Sequence, residues 1–84
     1  MRQIDDALCN ENFRKFIIEG REAKGLYQAD VAEKLGMSQA QYSYLENGHR
    51  KITLTMAINI CLVLGLDFND FVKTYIDDEG STLQ

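Results

Sequence analysis

Uncharged side chains that can form directional hydrogen bonds dominate one short stretch, residues 38–44. Here Tyr42 and the following Leu45 lie three positions apart and are spaced to face inward on a helix. The outward positions carry amides, a phenol and a methyl group, where a solvated helix face usually carries Glu and Lys. A glutamine amide can bond adenine through N6 and N7, and a small apolar group can contact the thymine methyl. The residues that we predict to read base edges are Gln39, Ala40, Gln41 and Tyr44; the alternative is an ordinary polar helix surface.

Two helices about a sharp turn have to position these side chains. In the first helix, Val31, Ala32 and Leu35 form an apolar stripe on one face. Gly36 follows at the place where a helix commonly ends in a left-handed conformation. Ser38 then offers a side-chain oxygen to cap the second helix. These signals predict two short helices joined by a tight turn.

Three places are candidates for binding a phosphate. Gln28 opens the first of these helices, and a helix N-terminus attracts anions through its free N–H groups and its dipole. Ser38 either bonds phosphate or caps its helix, and capping is the simpler role. After the second helix, His49, Arg50 and Lys51 form a basic cluster. A loop at that point would run along a sugar-phosphate backbone, although a short basic run is usually just a solvated loop.

Residues 28–47 resemble the helix-turn-helix of the phage repressor and Cro-like (Xre-type) family of DNA-binding proteins, and the flanks match from about residue 13 to about residue 75. The residues that carry the resemblance are Gln28, Ala32, Gly36 and the ending Leu45-Glu46-Asn47-Gly48. The resemblance implies an all-α, five-helix, lambda-repressor-like domain whose third helix enters the major groove. It also implies that Gln28 bonds a backbone phosphate. Arg21 and Glu46 match a structural ion pair beneath the DNA-facing surface.

Two residues depart from the family pattern. Tyr27 stands where Thr or Ser is favoured as an N-cap, and a phenol cannot cap a helix in that way. Tyr42 stands where Ile or Val is usual, so its hydroxyl needs a partner or water. Neither residue threatens the fold, but each affects the local geometry of the motif.

The remaining helices are placed by their caps and their apolar spacing. Helix 1 is expected to follow Asn10 or Asn12, helix 4 to follow Thr53, and helix 5 to follow Asp67. We predict one helix-turn-helix domain over residues 12–76, preceded by residues 1–11 as an extension of helix 1 or a mobile arm. Residues 77–84 are predicted to be a disordered acidic tail.

Helix 5 is more apolar than a helix that only covers a small core requires. With the far side of helix 4, it suggests a two-fold dimer interface, because one small, weakly basic domain binds an operator poorly. A dimer would span half-sites one helical turn apart, about 34 Å. The alternative is that the aromatic rings simply complete the core. The predicted interface residues are Phe68, Phe71, Val72 and Tyr75.

Composition and charge limit the range of functions. The net charge of −4 is unusual for a nucleic-acid binder, but the acidity lies at the ends, since residues 12–76 hold eight Lys or Arg against seven Asp or Glu. A single histidine and the lack of a Gly-rich phosphate loop or metal-site spacing argue against an enzyme, a metal or a cofactor.

Cys9 and Cys61 are expected to be reduced, with Cys61 in the core. No apolar run approaches the ~18–20 residues of a membrane span, and no signal-peptide pattern is present, so we expect a cytoplasmic protein.

These observations favour a transcription regulator that acts as a homodimer and binds double-stranded DNA at an inverted repeat. The short flanks also resemble the controller proteins of restriction–modification systems, while phage repressors and antitoxin-type regulators stay open. The rival hypothesis is an antitoxin-like protein-interaction module whose acidic ends contact a basic protein, with a toxin or RNA polymerase as the candidate partner.

Overall fold

The computed structural model describes the backbone of residues 5–80 and the side chains of residues 5–74. This part of the chain folds into five α-helices and no strand, which confirms the predicted all-α architecture. The helices are α1 (Asp6–Ala23), α2 (Gln28–Leu35), α3 (Gln39–Glu46), α4 (Leu54–Leu64) and α5 (Phe68–Gly80).

Helix α1 begins earlier than predicted. Its N-cap is Asp5, whose carboxylate accepts hydrogen bonds from the backbone N–H groups of Ala7 (2.7 Å) and Leu8 (3.2 Å). The expectation that Asn10 or Asn12 caps the helix is therefore wrong. An aspartate followed by good helix formers can start the helix a turn and a half upstream. Residues 6–11 thus extend helix 1, while residues 1–4 lie outside the described residues.

The turn between α2 and α3 forms as the local signals require. Gly36 adopts a φ of 72°, the left-handed conformation that ends α2 without the steric cost of a Cβ. Ser38 caps α3 by accepting a hydrogen bond from the N–H of Gln41 at 3.1 Å. At the start of α2, Tyr27 makes no side-chain cap, as expected. Instead its backbone N–H donates to the Asp30 carboxylate at 2.7 Å.

A single apolar core joins all five helices. Phe13 and Ile17 from α1 pack with Val31 of α2, Leu45 of α3 and Ile60 of α4. Helix α1 also approaches the α4–α5 turn closely, and a Cβ on its glycine at position 20 would lie 2.6 Å from a methyl carbon of Leu66. Cysteine 61 is buried and both cysteines are free, as predicted. Burial raises the pKa of the Cys61 thiol.

Four phenylalanine rings fasten α5 to α1. The Phe13 ring meets the Phe71 ring edge-on, with 5.1 Å between centroids, and the Phe16 and Phe68 rings complete the group. Helix α5 continues to Gly80, so the backbone of residues 77–80 is helical, whereas a disordered tail was predicted to begin at residue 77. Residues 81–84 lie outside the described residues.

Among the described helices, none alone is long and apolar enough to cross a membrane; α4 and the first half of α5 meet that test only as a pair bent by 110°.

Candidate nucleic-acid interface

The outer face of α3 is a polar surface without a charged group. Gln39, Ala40, Gln41 and Tyr44 are all exposed, and 48% of the Tyr44 surface is accessible. The one charged residue of this helix, Glu46, points inward and is buried. The structure therefore places the four predicted base-reading residues side by side on an accessible helix, with hydrogen-bonding groups at its N-terminal end.

Gln41 has a second role that was not assigned from the sequence, although Ser38 and Gln41 have the spacing of a capping box. Its side-chain Oε1 accepts a hydrogen bond from the backbone N–H of Ser38 at 3.0 Å, while the Ser38 hydroxyl accepts from the N–H of Gln41. This reciprocal capping box holds both side chains at the start of α3. Ser38 thus acts as a cap, and a bidentate contact from Gln41 to a base would require its carbonyl oxygen to leave the cap. In the described part of the chain, no capping hydrogen bond holds the side chain of Gln39.

Beneath α3, Arg21 and Glu46 form a two-point ion pair. The Arg21 Nε atom lies 2.8 Å from one Glu46 oxygen, and its Nη2 atom lies 3.0 Å from the other. The remaining Arg21 nitrogen donates to the backbone oxygen of Leu26 at 2.9 Å. The Glu46 side chain is only 3% exposed, so this pair is shielded from solvent and salt.

Gln28 completes the cluster from a third helix. Its side-chain amide donates to Glu46 at 3.0 Å, and the residue is half-buried. Burial raises the pKa of the Glu46 carboxyl, but favourable interactions with Arg21, Tyr42 and Gln28 outweigh burial and leave that pKa below its usual value. Sequence reasoning assigned Gln28 to phosphate and missed this bond, because no local pattern predicts a contact across 18 residues.

The Tyr42 hydroxyl lies beside this cluster. Tyr42 is fully buried, and its hydroxyl oxygen makes no hydrogen bond of normal geometry. The hydroxyl nevertheless interacts electrostatically with Glu46 and Arg21. Burial, followed by the nearby Glu46 carboxylate, raises the pKa of the phenol. The sequence predicted that this hydroxyl needs a hydrogen-bond partner or water. Among the described residues, no protein group forms that hydrogen bond.

The loop after α3 presents its three predicted residues to solvent. The His49 ring lies 5.9 Å from the Tyr44 ring, and the backbone N–H of Arg50 donates to the backbone carbonyl oxygen of Tyr44 at 3.0 Å. Lys51 forms an ion pair with Asp6 of α1. The next residue, Ile52, donates its backbone N–H to the Asn10 side chain at 2.8 Å. The start of α1 thus holds this loop in place.

The predicted dimer residues whose side chains the structure describes do not share one surface. Phe71 is buried and Phe68 is half-buried in the ring cluster, so these two complete the core. Val72 is 36% exposed, and the Tyr75 side chain lies outside the described residues. The larger exposed apolar surface belongs to α4, where Leu54 (71%), Ile58 (48%) and Leu62 (74%) repeat every four residues. We call these three residues the α4 stripe. Helix α4 has no charged residue at all, and this lack of charge is the sequence signal that could have indicated its exposed apolar surface.

In the described part of the chain, no group of three His, Cys, Asp or Glu residues is arranged to hold a metal ion.

Comparison with known proteins agrees with this geometry. The family model described as helix-turn-helix (HTH_3) matches residues 17–71, which include all of α2, α3 and α4. An uncharacterized HTH-type transcriptional regulator of Bacillus subtilis (strain 168), YqaF, is 33% identical over 60 residues, which cover 71% of this chain and 79% of that protein. No solved structure gives a significant match.

Proposed function

The chain belongs to the helix-turn-helix family, and on that basis we propose that it is a transcription regulator that binds double-stranded DNA sequence-specifically as a homodimer. The observation that carries this proposal is the outer face of α3, which is accessible, uncharged and rich in hydrogen-bonding groups. A charged face would bind phosphates of any sequence, whereas amides and a phenol distinguish base edges by their donor and acceptor pattern. Its place of action is then the cytoplasm.

Gln39 is the principal base reader in this proposal. It is exposed in the first turn of α3, and it is not part of the Ser38–Gln41 capping box. Ala40 and Tyr44 add contacts on the same face, and Gln41 contributes through its amide N–H₂ group while its oxygen remains in the cap. Such an arrangement suits the N-terminal end of a recognition helix entering the major groove.

The DNA backbone is bound on both sides of α3. On one side, α2 begins at Gln28, whose amide is oriented by Glu46. On the other side, His49, Arg50 and Lys51 are exposed in the loop. Phosphate contacts of this kind fix the register of the recognition helix but do not distinguish sequences.

Two subunits associate through the α4 stripe. Leu54, Ile58 and Leu62 are the large aliphatic side chains that the fold of one subunit leaves exposed on this helix. A stable interface buries about 800 Å² per partner, so the stripe forms only the centre of the proposed interface. The second copy is the natural occupant, because a weakly basic domain needs a second half-site to bind tightly. An isologous contact also matches an inverted-repeat operator.

Selection of bound duplexes from a random DNA pool at about 100 mM salt, followed by sequencing, tests this proposal. We expect an enriched inverted repeat from the wild-type chain and its loss in the Gln39→Ala/Gln41→Ala double variant. The single Gln39→Ala variant keeps the capping box and serves as the matched control for folding. A folded dimer that enriches no sequence would refute the proposal.

A second candidate function is a protein-interaction module that binds a different protein through the α4 stripe. The exposed aliphatic residues favour it as much as they favour a homodimer. A toxin or RNA polymerase would be the partner in an antitoxin-like or controller-like regulator. Light scattering separates the two: a mass of one chain at roughly 50 µM, well above the Kd of an ordinary dimer, would exclude the homodimer and favour this alternative. Whether the protein represses or activates depends on where its operator lies relative to the promoter.

A further inference from the structure

The first half of α1 and the loop after α3 enclose an open groove on the side of the protein that carries His49–Lys51. Its volume is about 270 Å³, several times the space that one water molecule takes in the liquid, about 30 Å³. Six residues line it: Asp6, Ala7, Asn10, Arg14, Gly48 and Lys51. Two are cations and one is an anion, so the groove carries a net positive charge.

We propose that this groove binds one phosphate of the DNA backbone between the Arg14 guanidinium and the Lys51 ammonium. The inference rests on the proposed DNA-binding function and adds to it a residue, Arg14, that lies outside the helix-turn-helix itself. A phosphodiester there continues the row of backbone contacts from the exposed loop onto α1.

The position of Arg14 supports this site. Its guanidinium lies against the backbone of Gly48, so that a Cβ at position 48 would be 3.2 Å from the Arg14 Cζ atom. The residue is half-buried, so its side chain has less conformational freedom than a fully exposed one before any ligand arrives. An ordered guanidinium loses less conformational entropy when it binds a phosphate than a free side chain does.

An anionic oxygen already occupies the other end of the groove. The Asp6 carboxylate pairs with Lys51, and both side chains are largely exposed to water. An exposed pair of this kind contributes little to stability and is easily exchanged. The carboxylate thus holds the position that a phosphate oxygen takes in the complex. Asp6 then has to give up Lys51 when DNA binds, and its charge opposes binding.

The loop itself is fixed for this purpose. Asn10 accepts the backbone N–H of Ile52 at 2.8 Å, a contact between residues 42 positions apart. With Arg14 on Gly48 and Asn10 on Ile52, both ends of the loop are attached to α1. The backbone positions from which the two cations of the groove extend are therefore held in place by the fold.

The test measures the affinity of the full-length chain for its selected duplex and for a scrambled duplex, each across a salt series. Arg14→Gln should weaken binding to both duplexes by the same factor, roughly five- to tenfold at low salt, and lower the salt slope by about 0.9 per subunit. Lys15→Gln is the matched control, since it removes the same charge from the neighbouring exposed position outside the groove. Arg14→Lys should restore most of the slope. Equal effects of Arg14→Gln and Lys15→Gln would overturn the proposal.

The exchange of Asp6 is tested separately. Asp6→Asn should tighten binding to both duplexes by roughly threefold, as removal of one opposing charge predicts. Glu11→Gln, the same charge change at an exposed site outside the groove, should have a smaller effect. Identical behaviour of these two variants would overturn the assignment of Asp6.

Titration with inorganic phosphate, followed by the amide resonances of Gly48 and Lys51, distinguishes the two sources of phosphate. Saturable shifts that Arg14→Gln abolishes, with no change in the DNA salt slope, would assign the groove to free phosphate and overturn the DNA assignment. If the wild-type chain enriches no DNA sequence, the proposed function fails and this inference fails with it. If it does enrich a sequence and Arg14→Gln leaves the slope unchanged, this inference alone fails.

Discussion

The outer faces of α3 and α4 share one property and differ in another. Neither presents a charged side chain to solvent, in a chain of which 26% of the residues are charged. The α3 face consists of amides, a methyl group and a phenol, whereas the α4 face consists of three large aliphatic side chains. Hydrogen bonds are directional and discriminate between partners. The free energy of apolar burial is not directional and grows with the buried area. The lack of charge therefore marks two surfaces that are suited to different partners.

The largest effect is expected from a substitution in the α4 stripe. Leu62→Glu places a charge on a residue that is 74% exposed, so the subunit should stay folded while the proposed dimer dissociates. Because the second half-site is then no longer linked, we expect operator affinity to fall by roughly a hundredfold or more. Analytical ultracentrifugation and DNA titration measure the two effects. A dimer that survives this change would show that the stripe is not its centre.

The next largest effect lies directly under the α3 face. Glu46→Ala leaves the Arg21 guanidinium buried without its partner, which should lower the free energy of unfolding by about 3 kcal/mol. Urea denaturation measures the loss. Glu33→Ala, at an exposed position on α2, is the control and should change the stability by no more than about 0.5 kcal/mol. Similar losses in both variants would mean that the buried pair contributes nothing special.

Removing one amide from the α3 face tests directional recognition alone. Gln39→Ala should cost about 1–3 kcal/mol of operator binding and leave both the dimer and the thermal stability unchanged. Gln41→Ala should in addition lower the stability by about 1 kcal/mol, since it removes half of the capping box. Equal stability losses in the two variants would contradict this division of roles.

Acid should weaken the support of the α3 face. The folded-state pKa of Glu46 lies below its unfolded value, so this carboxylate stabilises the fold fully above its ordinary pKa of 4.5. The contribution is lost as the pH falls from there through the lower folded pKa. Denaturation of the wild type and of Glu46→Gln between about pH 3 and pH 7 tests this. The variant should be less stable at neutral pH and should lose less stability on acidification; parallel curves would contradict the assignment.

The smallest effect is expected at Tyr42. Its hydroxyl is buried without a hydrogen bond of normal geometry, so Tyr42→Phe removes a poorly solvated group and keeps the ring in the core. We expect the free energy of unfolding to change by no more than about 1 kcal/mol, because the lost interaction with the Glu46 carboxylate offsets the removal of a poorly solvated group. A calorimetric loss greater than about 1 kcal/mol would show that the hydroxyl has a partner, such as Glu46 or a buried water.

The predictable part of this protein is the part that local rules govern. The apolar spacing of α2, Gly36 in the turn and Ser38 before α3 determine the motif within a few residues of sequence, and the structure has these elements where they were predicted. The resemblance to known repressors supplied the Arg21–Glu46 pair, which apolar periodicity alone does not indicate.

The rest depends on how the helices pack. The bond from Gln28 to Glu46 and the bond from Ile52 to Asn10 join residues far apart in sequence, so their geometry exists only once the helices are assembled. The same limit explains the dimer residues. Phe71 on α5 and Leu62 on α4 are both large and apolar, and only the packing of the helices decides that the first is buried and the second exposed.

The convergence on Glu46 has a mechanical consequence. A residue at the end of α3 holds Arg21 from α1 and Gln28 from α2, so the three helices meet at one carboxylate and are expected to move as a rigid unit. A rigid unit cannot adjust the distance between its backbone contacts and its base contacts. In the proposed complex, the duplex has to bend or twist to fit, and sites that deform easily should be preferred even at base pairs that no side chain touches.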